Sequence, residues 1–548
     1  RIVHMGDSHL AALHWQLEPL NWSGPMVIRT GIDGGVENLG VERYRQLETK
    51  HLEVLEAREC AADAVMLRSM TNQSRIDMAH AARTRINRGA RGESGVTRQL
   101  IDDNGFIGHD IHIECQSGEV LEVEKVAAFY TGRDQAICEP VLEAEWAVKR
   151  GGGFAKLLEC HRQAWERYWN WWDIELEAAT SGVLEQQLVL RLHIFHLLQT
   201  TSLHTTELDV GVPARGLHGE AYRGHIFWDE LFILPLLNLH MPEITRALLM
   251  YRYRRLPEAR WAARDLGLRG AAYPWQSGSN GREESQFVHL NPQSGHWLPD
   301  TTYKQRHVNA AIVHNTWRYY EVTGDAEFMN FAGAEMILSI AQFWSSLAQY
   351  NSAKQRYEIC GVVGPDEFHT RYLEREEAGL DNNAYTNVLV VWCLLTAQQT
   401  LAVLSPTQRA DLLQYLGIDE AELQRWDELS RRMFVPFHDG DIISQYEGYE
   451  KLEELDWQGY RERYGDIHRL DRILEAEGND VNRYKASKQA DVLMLFYLFS
   501  AEKLKELFNH MGYDFAPHMI PRNIEYYEQR TSHGSTLSNI VHSWVLAR

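Results

Sequence analysis

Polar and apolar residues alternate with period two in Asp110-Ile111-His112-Ile113-Glu114-Cys115 and again in Leu121-Glu122-Val123-Glu124, which predicts strands with one buried face. Ala64-Val65-Met66-Leu67 is a short continuous apolar run, compatible with a strand buried on both faces. Turn chemistry at Asp33-Gly34-Gly35 and Asp103-Asn104-Gly105 separates such runs. Strands with little helix between them predict an antiparallel β-sandwich over residues 1–145.

Near Gly151-Gly152-Gly153 the period changes to that of a helix. Trp165, Trp169 and Trp172 recur at helical spacing and predict a packing face against a neighbouring domain, not a ligand site. A helical linker is expected over 146–182. From 183 to 548 amphipathic helices dominate, among them Val183–Gln199, His307–Val322, Gly333–Tyr350, Asn387–Leu404 and Lys488–Leu504. Loops rich in Gly, Trp, His and acids lie between them, at 211–230, 271–306, 357–387, 440–484 and 521–538. Helix pairs alternating with such loops fit an α/α toroid whose site is lined by loops. A bundle or solenoid is the structural alternative, although no repeat of fixed period is visible. The fold class is therefore multidomain α+β.

Composition narrows the function. The hydrophobic fraction of 44% and charged fraction of 24% are those of a soluble globular protein. A net charge of -21 argues against nucleic acid, which needs clustered Lys and Arg. No uninterrupted apolar window is long enough for a membrane span, and no secretory signal is visible. The six cysteines form no C-x-x-C pair and suit the cytoplasm. Histidines show no metal-ligand spacing, so no metal is expected. No P-loop, dinucleotide fingerprint or nucleophile elbow occurs, and no cofactor is expected. The 17 Trp and 24 Tyr exceed what charge and size require; most read as core, and some suit a pyranose face.

Four clusters carry candidate chemistry. The first is Gly216–Glu230, where glycines, His218, His225 and the Trp228-Asp229 pair offer an apolar plate beside a carboxylate. Its bland reading makes Asp229 the cap of the helix Leu231–Leu239. The second is Tyr357–His369, where the adjacent acids Asp366 and Glu367 follow Gly364-Pro365. Adjacent like charges favour keeping one carboxyl protonated, as a general acid on a glycosidic oxygen requires; a solvated turn would look similar. The third is Lys485–Asp491, in which Lys488 and Gln489 are expected to open an apolar helix and project into a pocket, or simply to snorkel. The fourth is Glu525–Ser538, where Ser, Thr, His533 and Gly534 precede the helix Ile540–Leu546. Those residues suit either an anion cradle or an ordinary N-cap.

In this order the clusters resemble glycoside hydrolase family 65, with Ala272-Tyr273-Pro274-Trp275 and Asp381–Asn387 as further matching stretches. The resemblance covers essentially the whole chain and is weakest before residue 140. It implies a β-sandwich, a helical linker, an (α/α)6-barrel catalytic domain and a small C-terminal β-domain that these 548 residues do not include. It makes Glu367 the general acid, sets Trp228, Asp229, Lys488 and Gln489 around a glucosyl unit, and assigns phosphate to His533, Ser535 and Thr536. The implied reaction is inverting phosphorolysis of an α-glucosyl disaccharide of the trehalose, kojibiose, nigerose or maltose type. Inorganic phosphate is the co-substrate, β-glucose 1-phosphate and a free acceptor are the products, and the enzyme is implied to be a homodimer.

An inverting hydrolase of the same fold is the alternative. It would need a second carboxylate roughly 6.5–9.5 Å from the acid to activate water, and Glu528 is close enough in sequence to the anion loop to serve. A carbohydrate-binding protein without catalysis is the third reading, against which the retained Glu367 argues. Two departures stand out. His533-Gly534-Ser535-Thr536 replaces the His-Asp-Ser-Ser of many phosphorylases, and Arg306 precedes His307 where many members carry an acid.

Overall fold

The computed structural model describes every residue except 45–46, 90–91, 178–182 and 218. The end of the expected linker and His218 of the first cluster thus lie outside the described residues. The chain divides into two compact units, Arg1–Leu208 and Asp209–Arg548.

Among its described residues the first unit carries nine strands: β1 (Ile2–Val3), β2 (Leu10–Leu17), β3 (Gly24–Asp33), β4 (Leu52–Ala61), β5 (Ala64–Thr71), β6 (Asp77–Asn87), β7 (Val96–Asp103), β8 (Phe106–Cys115) and β9 (Leu121–Thr131). They form one sheet of order β1-β2-β9-β6-β5-β4 and another of order β3-β8-β7, antiparallel throughout. The sheets face each other across Val65, Leu67, Ala82 and Ile107. Ala64–Leu67 is buried on both faces because β5 faces the smaller sheet on one side and the helix Pro140–Arg150 on the other. Asp103 pairs with Phe106 across a two-residue turn, and Asn104 and Gly105 take the positive φ values (48° and 88°) that such a hairpin demands.

Helix α1 (Pro140–Arg150) covers the outer face of the larger sheet through Ala144 and Val148 against Ala79, Ala81 and Val126. Its last carbonyls are satisfied by the buried Arg83, which donates to the carbonyls of Val148 and Gly152 at 2.5 Å each. In α2 (Phe154–Trp172) the Trp165 ring stacks on Trp169 and meets Phe195 of α3 (Val183–Thr200), so the tryptophan stripe is a packing face within this unit.

The second unit is helical. Its first half carries α4 (Glu230–His240), α5 (Pro242–Arg254), α6 (Leu256–Asp265), α7 (Val308–Thr323), α8 (Ala326–Phe328), α9 (Ala334–Leu347) and α10 (Ala384–Val403). After these come α11 (Pro406–Leu416), α12 (Glu420–Arg431), α13 (Trp457–Tyr464), α14 (Leu470–Ala476), α15 (Asp491–Leu498), α16 (Ala501–His510), α17 (Met519–Glu528) and α18 (Thr536–Ala547). α7, α9 and α10 form the centre of the core and are buried over most of their surface. Among the described residues α10 alone is long and apolar enough to cross a membrane, yet 72% of it is buried in the unit, as befits a core helix.

Two helix expectations change. The single helix expected over Lys488–Leu504 is two, because Ser500 Oγ accepts the Lys503 N–H and starts α16 afresh. Lys488 and Gln489 consequently do not open a helix; they lie in the loop that precedes Asp491. A π-type turn at Met329–Gly333 precedes α9 where Gly333 was expected to start it.

Candidate active site

Three of the four clusters converge on one loop crossing. Lys488 Nζ lies 2.5 Å from Glu367 Oε2. The Lys488 carbonyl accepts the Gly534 N–H at 3.1 Å, and Ser487 is laced to the same loop by bonds to Arg530 and Ser532. Burial disfavours the Lys488 ammonium, but the charge of Glu367 outweighs it and the net shift is upward. The candidate acid, the candidate sugar-binding lysine and the candidate anion loop are therefore one connected structure.

The two neighbouring acids of Gly-Pro-Asp-Glu go separate ways. Asp366 turns inward, nearly fully buried, and its carboxylate accepts the Lys488 N–H at 2.7 Å and faces His369 Nδ1 at 2.6 Å. His369 Nε2 meets the Tyr484 carbonyl at 2.8 Å, so that nitrogen carries a proton. Glu367 turns outward, with a backbone φ of +61° in the left-handed region. The turn that holds it is braced from three directions. Gln489 Nε2 donates to the Pro365 carbonyl at 2.7 Å, Asp491 Oδ1 accepts the Asp366 N–H at 2.6 Å, and Asp491 Oδ2 accepts Asn383 Nδ2 at 2.6 Å. A Cβ on Gly364 would lie 2.0 Å from Asp491 Oδ2, so only glycine lets this carboxylate so close. Burial, with Asp366 adding to it, pushes the Asp491 carboxyl well above the ordinary carboxylate range. Sequence reasoning left Asp491 without a role; its polar identity at the start of a buried helix was the available signal.

Trp228 is buried in an aromatic wall, its ring 4.9 Å from His307, 6.1 Å from Trp275 and 6.5 Å from Tyr385. Burial lowers His307 to about 3 and keeps it neutral. Asp229 precedes α4 but makes no side-chain cap bond, so its carboxyl is not consumed by the helix. Burial pushes that carboxyl up to about 6, the charges of Glu230 and Glu367 adding to the push and Arg215 opposing it. Glu230 is different: it is buried in an ion pair with Arg252 at 3.0 Å and serves the fold.

In the anion-loop candidate, His533 also has positive φ, and its Nδ1 lies 3.0 Å from Ser538 Oγ. Ser535 caps α18 through Leu537 N–H, and Thr536 is the first residue of that helix. The glycine that departs from the family pattern has a steric reason: a Cβ on Gly534 would sit 2.4 Å from the His468 carbonyl. Glu528 is engaged by His542 Nδ1 at 2.5 Å. Glu528, His533 and His542 bring potential ligand atoms within 4.8 Å of one another; Glu528 and His542 share a hydrogen bond, and the His533 ring meets that of His542 edge-on.

Residues 1–168 match the family model for the N-terminal domain of glycosyl hydrolase family 65, and residues 191–548 match its central catalytic domain. A glycosyl hydrolase of Mycobacterium tuberculosis (strain ATCC 25618 / H37Rv), described as uncharacterized, is 51% identical over 100% of this chain and 41% of its own length. Trehalose 6-phosphate phosphorylase of Lactococcus lactis subsp. lactis (strain IL1403) is 35% identical over 95% of this chain and 64% of its own. Kojibiose phosphorylase of Halothermothrix orenii is 32% identical over 99% of this chain and 66% of its own. The chain thus spans less than two thirds of the length of each of these relatives. In fold it is similar, at a TM-score of 0.76 and 22% identity, to a solved candidate kojibiose phosphorylase from the human microbiome, over 99% of this chain and 65% of that one. With both domain families matched in order along its length, the chain belongs to glycosyl hydrolase family 65.

Proposed function

We propose that the chain carries the catalytic centre of an inverting glycoside phosphorylase. The glycosidic C1–O bond of an α-glucosyl disaccharide breaks as Glu367 protonates the leaving oxygen. An oxygen of inorganic phosphate bonds to C1 from the opposite face, giving β-glucose 1-phosphate and a free acceptor sugar. Phosphate is already an anionic nucleophile, so a single catalytic carboxyl suffices. The observation that carries this reading is the continuity of Glu367, Lys488 and the Thr531–Thr536 loop through the 2.5 Å ion pair and the Gly534 N–H to Lys488 carbonyl bond. Trp228 offers the sugar an apolar plate, and Asp229 and Lys488 offer its hydroxyls an acceptor and a donor. His533, Ser535 and Thr536 would hold phosphate at the start of α18, where backbone N–H groups add partial positive charge. Gln489, bonded to the Pro365 carbonyl, would steady the turn that bears the acid while its remaining oxygen faces the sugar.

In the architecture that goes with this reading, 1–145 is the sandwich, 146–182 the linker, and 183–548 the (α/α)6 barrel with its site-bearing loops at one end. The succession of core helices and the match to the central catalytic domain support it. The engagement of Glu528 by His542 weighs against its use as a base for water.

The test is incubation with trehalose, trehalose 6-phosphate, kojibiose, nigerose and maltose, with and without inorganic phosphate, following the sugar phosphate released. Phosphate-dependent formation of the β-anomer is expected. Equal turnover without phosphate would sink the phosphorylase reading in favour of a hydrolase, and binding without any turnover would favour a non-catalytic role.

A further inference from the structure

Gln445 is fully buried in the loop that follows the short strand Ile442–Ile443, and both ends of its side-chain amide are used. Its Oε1 accepts the Asp491 N–H at 2.6 Å. Its Nε2 donates to Ser487 Oγ at 2.9 Å and to Asp366 Oδ2 at 3.5 Å. Its backbone carbonyl accepts the Ala384 N–H at 2.9 Å and Asn383 Nδ2 at 3.2 Å, at the start of α10. Stretches 42 to 79 positions away in sequence thus meet on one residue.

Two of these partners stand next to the residues that form the ion pair of the site. Asp366 immediately precedes Glu367, and Ser487 immediately precedes Lys488. A single amide nitrogen therefore ties together the two loops that carry the 2.5 Å contact between Lys488 Nζ and Glu367 Oε2. The acceptor end reaches the same turn by a second route: Asp491, whose N–H it takes, holds the Asp366 N–H on its own carboxylate. These contacts specify the chemistry at position 445, because an amide presents a donor and an acceptor at once. A carboxylate there would set an oxygen against Asp366 Oδ2. A methionine would leave the Asp491 N–H and Ser487 Oγ without this partner in a buried setting, where lost hydrogen bonds are costly.

We propose that Gln445 is a positioning residue for the general acid. It sets the spacing between Glu367 and Lys488, and with it the place from which Glu367 meets the glycosidic oxygen. It acts through Asp366, Ser487 and Asp491 and not on the sugar. This inference rests on the proposed function only for Glu367 as the proton donor, and it holds alike for phosphate or water as the nucleophile.

The experiment compares leaving groups. A disaccharide needs its departing oxygen protonated. α-Glucosyl fluoride does not: fluoride leaves with the C1–F bonding pair while an oxygen of phosphate bonds to C1. Rates of the full chain are measured with inorganic phosphate on this fluoride and on the fastest-reacting of trehalose, trehalose 6-phosphate, kojibiose, nigerose and maltose. Gln445→Met is expected to lower kcat on the disaccharide by about 10–10²-fold with KM changed by about threefold or less, the effect of a displaced catalytic group. On the fluoride, where that group is not needed, kcat should fall by about threefold or less. Gln445→Glu, which keeps the size and the acceptor but not the donor, should show the same contrast, and it carries the comparison if circular dichroism finds the methionine variant unfolded. Ser487→Ala should also lower kcat on the disaccharide, and adding it to Gln445→Met should cost little more, since both break one link. Equal losses on the two substrates, an unchanged kcat on the disaccharide, or losses that multiply in the double variant would each overturn the inference. A wild-type chain that turns over the fluoride but no disaccharide would instead remove the proposed function, and with it the acid on which this inference rests.

Discussion

Lys488 Nζ and Glu367 Oε2 meet at 2.5 Å across 121 positions of sequence, at the point where two loops cross. The contact gives each group its partner before any sugar arrives. If Lys488 takes its proposed place on the sugar, a hydroxyl there would have to share the ammonium with the carboxylate proposed as the acid.

Replacing that carboxyl by its amide keeps the shape and removes the proton donor. Glu367→Gln is expected to lower kcat by about 10²–10⁴-fold, the usual weight of a general acid. Circular dichroism should be unchanged. Steady-state rates near the wild-type value would take Glu367 out of its proposed role.

Asp229 supplies a pH dependence. Its carboxyl ionises at about 6 because burial raises it. In its proposed role it would accept sugar hydroxyls above that value, and below it the protonated form would accept more weakly. Hence kcat/KM for the sugar is expected to fall as pH drops through about 6, and Asp229→Asn should flatten this acid limb while raising KM. A limb that survives the substitution belongs to another group.

Asp491 touches no reacting atom in this arrangement; it holds the Asp366 N–H and the Asn383 amide. Asp491→Ala strands both donors, each at a cost of about 1–3 kcal/mol. A lower midpoint in urea denaturation is the expected reading. The freed turn should also lower kcat by about 10–10²-fold with little change in KM, as a small displacement of a catalytic group does. A stability loss with kcat intact would make Asp491 a purely structural residue.

Gly534→Ala forces a methyl against the His468 carbonyl, and the loop must move by more than a few tenths of an ångström. Overpacking of this kind costs about 1–3 kcal/mol. Because the loop is proposed to hold phosphate, initial-rate kinetics should show the KM for phosphate rising more than that for the sugar. Equal effects on both would detach the loop from phosphate.

Much of the frame was legible from local pattern. The alternation in β8 and β9, the doubly buried run in β5 and the apolar core helices α7 and α10 are all written in the nearest neighbours of each residue. The candidate site was legible in its loops and less so in its bracing. Asp491 works through partners 108 and 125 positions away, and no periodicity records such a contact. The same limit explains the helix expected to start at Lys488. Its apolar composition continues through Phe499, and only the serine cap at Ser500 and the loop contacts of Lys488 and Gln489 divide it.

Tyr222, Arg223, Glu367, Asn382 and His533 all hold φ between +53° and +62°, and all lie in the stretches that carry the family resemblance. For Glu367 the consequence is a conflict between durability and chemistry. Glycine at that position would release about 1 kcal/mol or more of backbone strain while deleting the carboxyl. A screen that selects only for heat resistance will therefore drift towards inactive chains at this residue, and any search for sturdier variants has to hold activity under selection at the same time.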